Sequence, residues 1–215
     1  MFTNSARIIH HFYSYTLNVG SRNFKNLKLT DMDTITLKVK TTKPTQEIEL
    51  RFSETRSSKP IQFKIDWGDG TLNTQTSHVY KMPAIKKPYI IKISLDKISY
   101  FECRNNKNSY YDDNKYGIIS LDASGCKSLK KLICTNQPLI ELNIAECAEL
   151  EYINCQNCFL NDNALRDIYK QLPMGKEWDG NIQDTPKIID IKYNFSAYFG
   201  GPKEVAEEKL WKVEY

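Results

Sequence analysis

The residues best suited to acid–base or metal chemistry lie in one short stretch of the chain. Asp66 and Asp69 are three positions apart, and His78 follows nine positions later. Such carboxylates can share a metal or a proton, but the sequence offers His78 no identifiable nucleophile. Gly-Asp-Gly at 68–70 is typical of a tight turn, since glycine adopts positive φ and Asp accepts local backbone hydrogen bonds. We therefore interpret Asp69 and His78 as turn residues and Trp67 as a core residue.

The six cysteines all lie in the second half, and Cys155 and Cys158 form a CxxC pair. A redox or zinc role is one interpretation, but zinc needs a second pair of ligands and the three histidines are distant in sequence. The favoured interpretation is a set of small apolar interior residues, because most of them recur at equivalent positions. These are Cys126 with Cys147, Cys134 with Cys155, and Cys103 aligned to Cys134. We predict no catalytic residue, no metal site and no cofactor.

The cysteines belong to a 21-residue sequence repeat. One series of apolar, Cys and Asn positions recurs with one offset: Leu121, Cys126, Leu129, Leu132, Cys134, Asn136 and Leu139, then Leu142, Cys147, Leu150, Ile153, Cys155, Asn157 and Leu160. A period in the twenties is typical of stacked repeat units, each with a short strand. An earlier partial unit at 100–105 aligns with the Leu132 and Ile153 strands, followed by an inserted loop at 106–117. The repeated Asn positions predict a shared corner at which side-chain amides bond backbone groups.

The candidate binding residues are the polar and aromatic side chains that alternate with these inward positions. Stacking in register would bring them onto one outward face, and such a mixture suits protein recognition. The inserted loop adds tyrosines, which contact partners at low entropic cost. The candidates are Tyr100, Glu102, Arg104, Lys131, Thr135, Tyr152, Asn154 and Gln156 on the strands, and Tyr110 and Tyr111 in the loop. The simpler alternative is that they are solvated strand residues.

Residues 32–95 alternate apolar and polar positions, which predicts β-strands with one buried face. The strands are expected around Ile35–Val39, Ile48–Phe52, Ile61–Trp67 and Ile91–Leu95. The series Trp67-Gly68-Asp69-Gly70-Thr71, then His78 and Tyr80, then Tyr89, Ile91 and Ile93, resembles the PKD (polycystic kidney disease) family. That resemblance implies an immunoglobulin-like sandwich used as a spacer or adhesive module in bacterial surface proteins.

The repeat itself, clearest at 129–136, resembles leucine-rich repeat proteins with the pattern LxxLxLxxN/C. A helix is predicted at Asn163–Leu172 before Pro173, a strand at 188–191, a second short helix after Pro202 and a last strand at 211–213. This order resembles the end cap of secreted bacterial leucine-rich repeat proteins. The expected fold is β-rich: an immunoglobulin-like β-sandwich followed by a short leucine-rich-repeat solenoid with a helical C-terminal cap.

The expected domains are an N-terminal segment (1–30) with poor order, a PKD-like sandwich (31–97) and a repeat domain (98–215). Charge supports two different units, because residues 1–97 hold 16 Lys/Arg and 8 Asp/Glu whereas the remainder holds 14 and 18. The basic excess contains no nucleic-acid docking motif, so no nucleic acid is expected. No apolar run is long enough for a transmembrane helix, and no signal peptide is visible.

The favoured function is a noncatalytic binding or adhesion module, a monomer that recognises a protein through the face of its repeats. The resemblance implies an extracellular or cell-surface location. Two alternatives stay open: a glycan-binding surface protein using the same face and the basic first half, and a purely structural spacer. An enzyme is disfavoured, because no nucleophile–base pair, phosphate loop or metal spacing is recognisable.

Overall fold

Alternating apolar residues form most of the strands in a computed structural model of the chain. It describes residues 32–41, 46–54, 60–82, 86–103, 117–176, 186–194 and 201–215. The predicted N-terminal segment and almost all of the inserted loop 106–117 lie outside these residues. The described strands are β1 (Asp33–Lys40), β2 (Gln46–Glu49), β3 (Arg51–Ser53), β4 (Phe63–Asp66), β5 (Leu72–Asn73), β6 (Ser77–Tyr80), β7 (Tyr89–Leu95), β8 (Tyr100–Glu102), β9 (Gly117–Asp122), β10 (Lys131–Ile133), β11 (Glu141–Asn143), β12 (Tyr152–Asn154), β13 (Lys187–Asp190) and β14 (Trp211–Glu214).

The described strands form two six-stranded sheets and one two-stranded sheet. The first sheet has the order β11-β9-β1-β7-β4-β5, and the second sheet has the order β14-β13-β12-β10-β8-β3. Strands β2 and β6 pair antiparallel beside them. In the second sheet, β8, β10, β12, β13 and β14 run parallel, and only β3 is antiparallel to its neighbour.

Both large sheets combine strands from the two halves of the chain. In the first sheet β1 lies between β7 and β9, so Leu37 faces Ile91 on one side and Leu121 on the other. In the second sheet β3 pairs with β8, which brings Phe52 beside Phe101. The expected sandwich followed by a leucine-rich-repeat solenoid is therefore wrong as a description of the fold. The prediction of a β-rich chain is confirmed.

The hydrogen-bonding needs of the strand edges explain why the two halves of the chain share sheets. A central strand needs hydrogen-bonding partners on both edges, and β1 finds its second partner in β9. One contiguous cluster of buried side chains then connects the two sheets, with Ile35, Leu132 and Trp211 among its members. Asp31–Tyr215 form one compact unit, and the predicted boundary between residues 97 and 98 falls within it.

Two helices complete the described structure, α1 (Asp162–Gln171) and α2 (Glu204–Glu207). The Asn161 side chain begins α1 by accepting a hydrogen bond from the Ala164 N–H, as an N-cap residue does. Leu165, Ile168 and Tyr169 form the buried side of α1. Both helix predictions are confirmed, and α1 packs beside the edge strand β11.

Candidate functional site

The outward side chains of the parallel strands stand in register, as the repeat predicts. Lys131 on β10 faces Tyr100 on β8 and Tyr152 on β12. The next residue on each strand, Phe101, Leu132 or Ile153, points into the core, so the three facing side chains point outward. The row continues to Ile188 and Lys212 through β13 and β14. A second row runs beside it through Glu102, Ile133, Asn154, Asp190 and Glu214. We call these two rows the parallel-strand face.

Contacts within the first row combine a cation with aromatic rings. The Lys131 ammonium lies 4.8 Å from the centroid of the Tyr152 ring. Asn154 Nδ2 donates to the Tyr152 hydroxyl at 3.2 Å, and the Tyr100 hydroxyl donates to the Glu102 carboxylate. Tyr100 and Tyr152 are half-buried and Lys131 is exposed. The row therefore presents polar edges and part of each ring to solvent.

The far end of the second row is a network of charges. Lys192 Nζ lies 3.0 Å from Glu214 Oε2 and 3.4 Å from Asp190 Oδ2, and Gln156 Nε2 donates to Asp190. Hydrogen bonds from Lys192 and then from Lys212 lower the pKa of Glu214. The sequence predicted strands here, but it did not place Asp190, Lys192 and Glu214 on the face. Their signal was the apolar spacing at 189 and 191, which repeats that of 153 and 155.

The structure brings seven of the ten predicted binding residues onto this side of the second sheet. Thr135 and Gln156, both half-buried, follow the ends of β10 and β12. Glu102 is in the predicted row but only 3% exposed, so it is not an open contact. Arg104, Tyr110 and Tyr111 lie outside the described residues.

The acid–imidazole group has the structural role that the sequence predicts. Asp69 Oδ1 accepts from the Thr71 N–H at 3.0 Å, and Asp69 Oδ2 lies 2.7 Å from His78 Nε2. The His78 ring stacks on the fully buried Trp67, with centroids 5.0 Å apart. The Tyr80 hydroxyl donates to the Trp67 carbonyl at 2.8 Å. These bonds connect the turn to β6 and leave His78 engaged with Asp69 and Trp67.

All six cysteines are reduced and buried, which confirms the predicted interior positions. Burial raises the pKa of each of Cys103, Cys126 and Cys147, the last to about 12. A thiol with a raised pKa contains little nucleophilic thiolate at neutral pH. Cys158 Sγ donates to the Cys134 carbonyl at 3.0 Å. Among the described residues no group of three or more His, Cys, Asp or Glu side chains is arranged to hold a metal ion.

A second candidate site, which the sequence did not predict, is a polar cleft on the first sheet. Its floor consists of outward side chains of β1, β9 and β11, and α1 forms one wall. The cleft has a volume of about 520 Å³ and is open to solvent. Its polar lining includes Thr36, Lys38, Ser120, Asp122, Glu141, Asn143, Asn161, Asp167 and Gln171. We call it the helix-walled cleft.

The pairing register of β1, β9 and β11 determines which side chains form the floor of the helix-walled cleft. Asp122 on β9 faces Thr36 on β1 and Asn143 on β11, so a carboxylate, a hydroxyl and an amide stand side by side. Burial acts to raise the pKa of Asp122, but hydrogen bonds from Ser124 and Asn143 lower it overall. Asp122 is therefore ionised at neutral pH. Lys38 pairs with Glu141 at 3.3 Å across the floor.

The wall is fixed to the floor by one side chain. Gln171 Oε1 accepts the Ile144 N–H at 2.8 Å, directly after β11, and Gln171 Nε2 donates to the Asp167 carbonyl. This bond satisfies a backbone group at the sheet edge and sets the distance between α1 and β11.

None of the helices in the described ranges is long and apolar enough to cross a membrane. Comparison with protein-family models, with curated proteins and with solved structures finds no match for this chain.

Proposed function

We propose that this chain is a noncatalytic binding module that recognises a protein partner through the parallel-strand face. The observation that carries this proposal is the in-register row Tyr100–Lys131–Tyr152 on three adjacent parallel strands. Aromatic side chains on a rigid sheet are frequent anchors of protein interfaces, because they bury large areas with few rotatable bonds. A sheet also fixes their spacing more firmly than a loop does.

The exposed charges of this face are mainly cationic, which suits a partner with acidic groups. Lys131 and Lys212 are exposed on one row, whereas Asp190 on the other row is buried and the half-buried Glu214 pairs with Lys192 and Lys212. Complementary charges at the rim of an interface set the orientation and the association rate more than the affinity. The extracellular or cell-surface location belongs to the same proposal, and it rests on the resemblance of residues 32–97 to the PKD family.

The experiment is a binding screen of the purified chain against extracellular-matrix proteins, followed by titration of each hit. The variant Lys131→Ala/Tyr152→Ala removes the ammonium and the ring at the centre of the row. We expect it to weaken binding by about tenfold or more, the effect typical of losing interface anchors. The matched control is Lys92→Ala, which removes an exposed lysine from β7 of the first sheet. Binding that survives the double variant, or falls equally in the control, would assign the interface elsewhere.

A further inference from the structure

We propose that the helix-walled cleft binds a neutral saccharide through adjacent hydroxyl groups. The cleft lies on the first sheet, not on the parallel-strand face, so this inference is independent of the proposed function. Its volume of about 520 Å³ falls in the usual range for small-ligand sites.

The polarity of the floor matches a ligand whose groups both donate and accept hydrogen bonds. The Asp122 carboxylate accepts hydrogen bonds from Ser124 and Asn143 and has further lone pairs, Asn143 Oδ1 accepts the Ala145 N–H, and the Thr36 hydroxyl can donate and accept. These three side chains occupy facing positions on neighbouring strands. A sugar offers hydroxyl groups on adjacent carbons, each able to donate to a carboxylate while accepting from an amide or ammonium. Most ligand pockets are predominantly apolar, and this polar floor is unsuited to a purely apolar ligand.

The charges of the lining disfavour an anionic ligand. Lys38 pairs with Glu141 at 3.3 Å, and Lys170 pairs with Asp167 at 3.5 Å. Among the described residues no Lys or Arg forms an ion pair with Asp122, which leaves one carboxylate without a counter-charge. An anion would meet that carboxylate unfavourably, whereas a neutral sugar hydroxyl can donate to it, and a cationic peptide is the competing ligand.

An apolar margin complements the C–H side of a sugar ring. Ile140 lines the cleft with 48% of its surface exposed, although its neighbours in sequence, Leu139 and Leu142, are buried. One large exposed apolar side chain beside a polar floor complements a sugar ring, which presents both C–H groups and hydroxyl groups.

The test is saturation-transfer NMR on the whole chain with a panel of neutral disaccharides: maltose, cellobiose, lactose and diacetylchitobiose. We expect at least one to bind with a Kd of about 0.1–10 mM, the weak range for a small polar ligand in an open cleft. Two variants keep the shape of the floor and remove one polar function each, Thr36→Val and Asp122→Asn. Each is expected to raise that Kd about fivefold or more, the loss typical of one hydrogen bond.

The matched control is Thr135→Val, the same substitution beside the parallel-strand face, which should leave the Kd unchanged. Thermal unfolding of each variant shows that the fold is retained, so a loss of binding reports on the cleft itself. The proposal is overturned by no saturation transfer at about 20 mM sugar, or by binding that persists in both cleft variants. Equal weakening in Thr135→Val also overturns it, and binding of tetralysine in place of every sugar would assign the cleft to a cationic peptide.

Discussion

The two large sheets carry polar outward faces of different shape. On the parallel-strand face, side chains of neighbouring strands pair with one another, as Lys131 does with Tyr152 and Lys192 does with Glu214. On the first sheet, α1 stands beside the edge strand β11 and turns a comparable polar surface into a cleft. The difference shows that one helix at a sheet edge decides whether a polar sheet is an open contact area or the floor of a cleft.

The same comparison extends beneath the faces. Leu37 under the cleft and Leu132 under the parallel-strand face are both fully buried in one contiguous core. Substitutions in the core, in the helix wall and at one floor carboxylate therefore separate the stability that the two faces share from the properties of each face alone.

The largest expected effect comes from the shared core. Leu37→Ala and Leu132→Ala should each lower the free energy of unfolding by about 2–5 kcal/mol, because each leaves a cavity in a close-packed interior. Both should shift one cooperative transition when urea unfolding is followed by circular dichroism. Lys131→Ala is the surface control and should change stability by about 0.5 kcal/mol or less. Two transitions, each moved by only one variant, would mean that the sheets unfold as separate units.

An intermediate effect is expected at the helix wall. Gln171→Ala removes the acceptor of the Ile144 N–H and should cost about 1 kcal/mol of stability, the net value of one hydrogen bond. Amide hydrogen exchange should accelerate at Ile144 and in the last turn of α1 while the parallel strands keep their protection. Lys170→Ala, one position earlier on the same helix, is the control. Unchanged exchange at Ile144 would show that packing alone holds α1 against β11.

The smallest expected effect is the acid response of the cleft floor. The folded-state pKa of Asp122 is lowered below 3.8, so its ionisation contributes stability above that pH and loses it as the pH falls through the folded value. Asp122→Asn should therefore be less stable than the parent chain by roughly 1 kcal/mol or less at neutral pH, and the gap should close in acid. Glu141→Gln is the control from the same floor, since its exposed ion pair is worth little. A gap that stays constant down to about pH 2.5 would contradict the contribution of ionised Asp122.

The repeat predicted the local structure of the second sheet closely. Its offset placed Leu132 and Ile153 in register, the aligned partial unit at 100–105 placed Phe101 beside Leu132, and the repeat placed the cysteines inside. The corner was predicted less well. Asn136 and Asn157 adopt positive φ, and their side chains form a hydrogen bond with each other at 2.8 Å. The backbone carbonyl of Cys155 instead accepts a hydrogen bond from the side chain of the buried Asn194. The repeat spacing identifies equivalent positions but not which partner each amide takes.

The pairing between the two halves was not predictable from periodicity. Alternation along β1 shows which face of the strand is buried, but it does not identify the strand that occupies each edge. The helix-walled cleft was missed for the same reason, since Thr36, Asp122, Asn143 and Gln171 come from four elements that only the sheet order brings together. A local pattern predicts elements, whereas a cleft depends on distant contacts.

The pairing of β1 with β9 also has a consequence during synthesis. Lys38 faces Ser120, so β1 leaves the ribosome long before the strand that completes its second edge. Until β9 emerges, Ile35, Leu37 and Val39 lie on a strand with one open edge, to which another nascent chain can add. Premature release of the first half would therefore favour intermolecular strand pairing, so the yield of native protein depends on the chain being finished before such encounters occur.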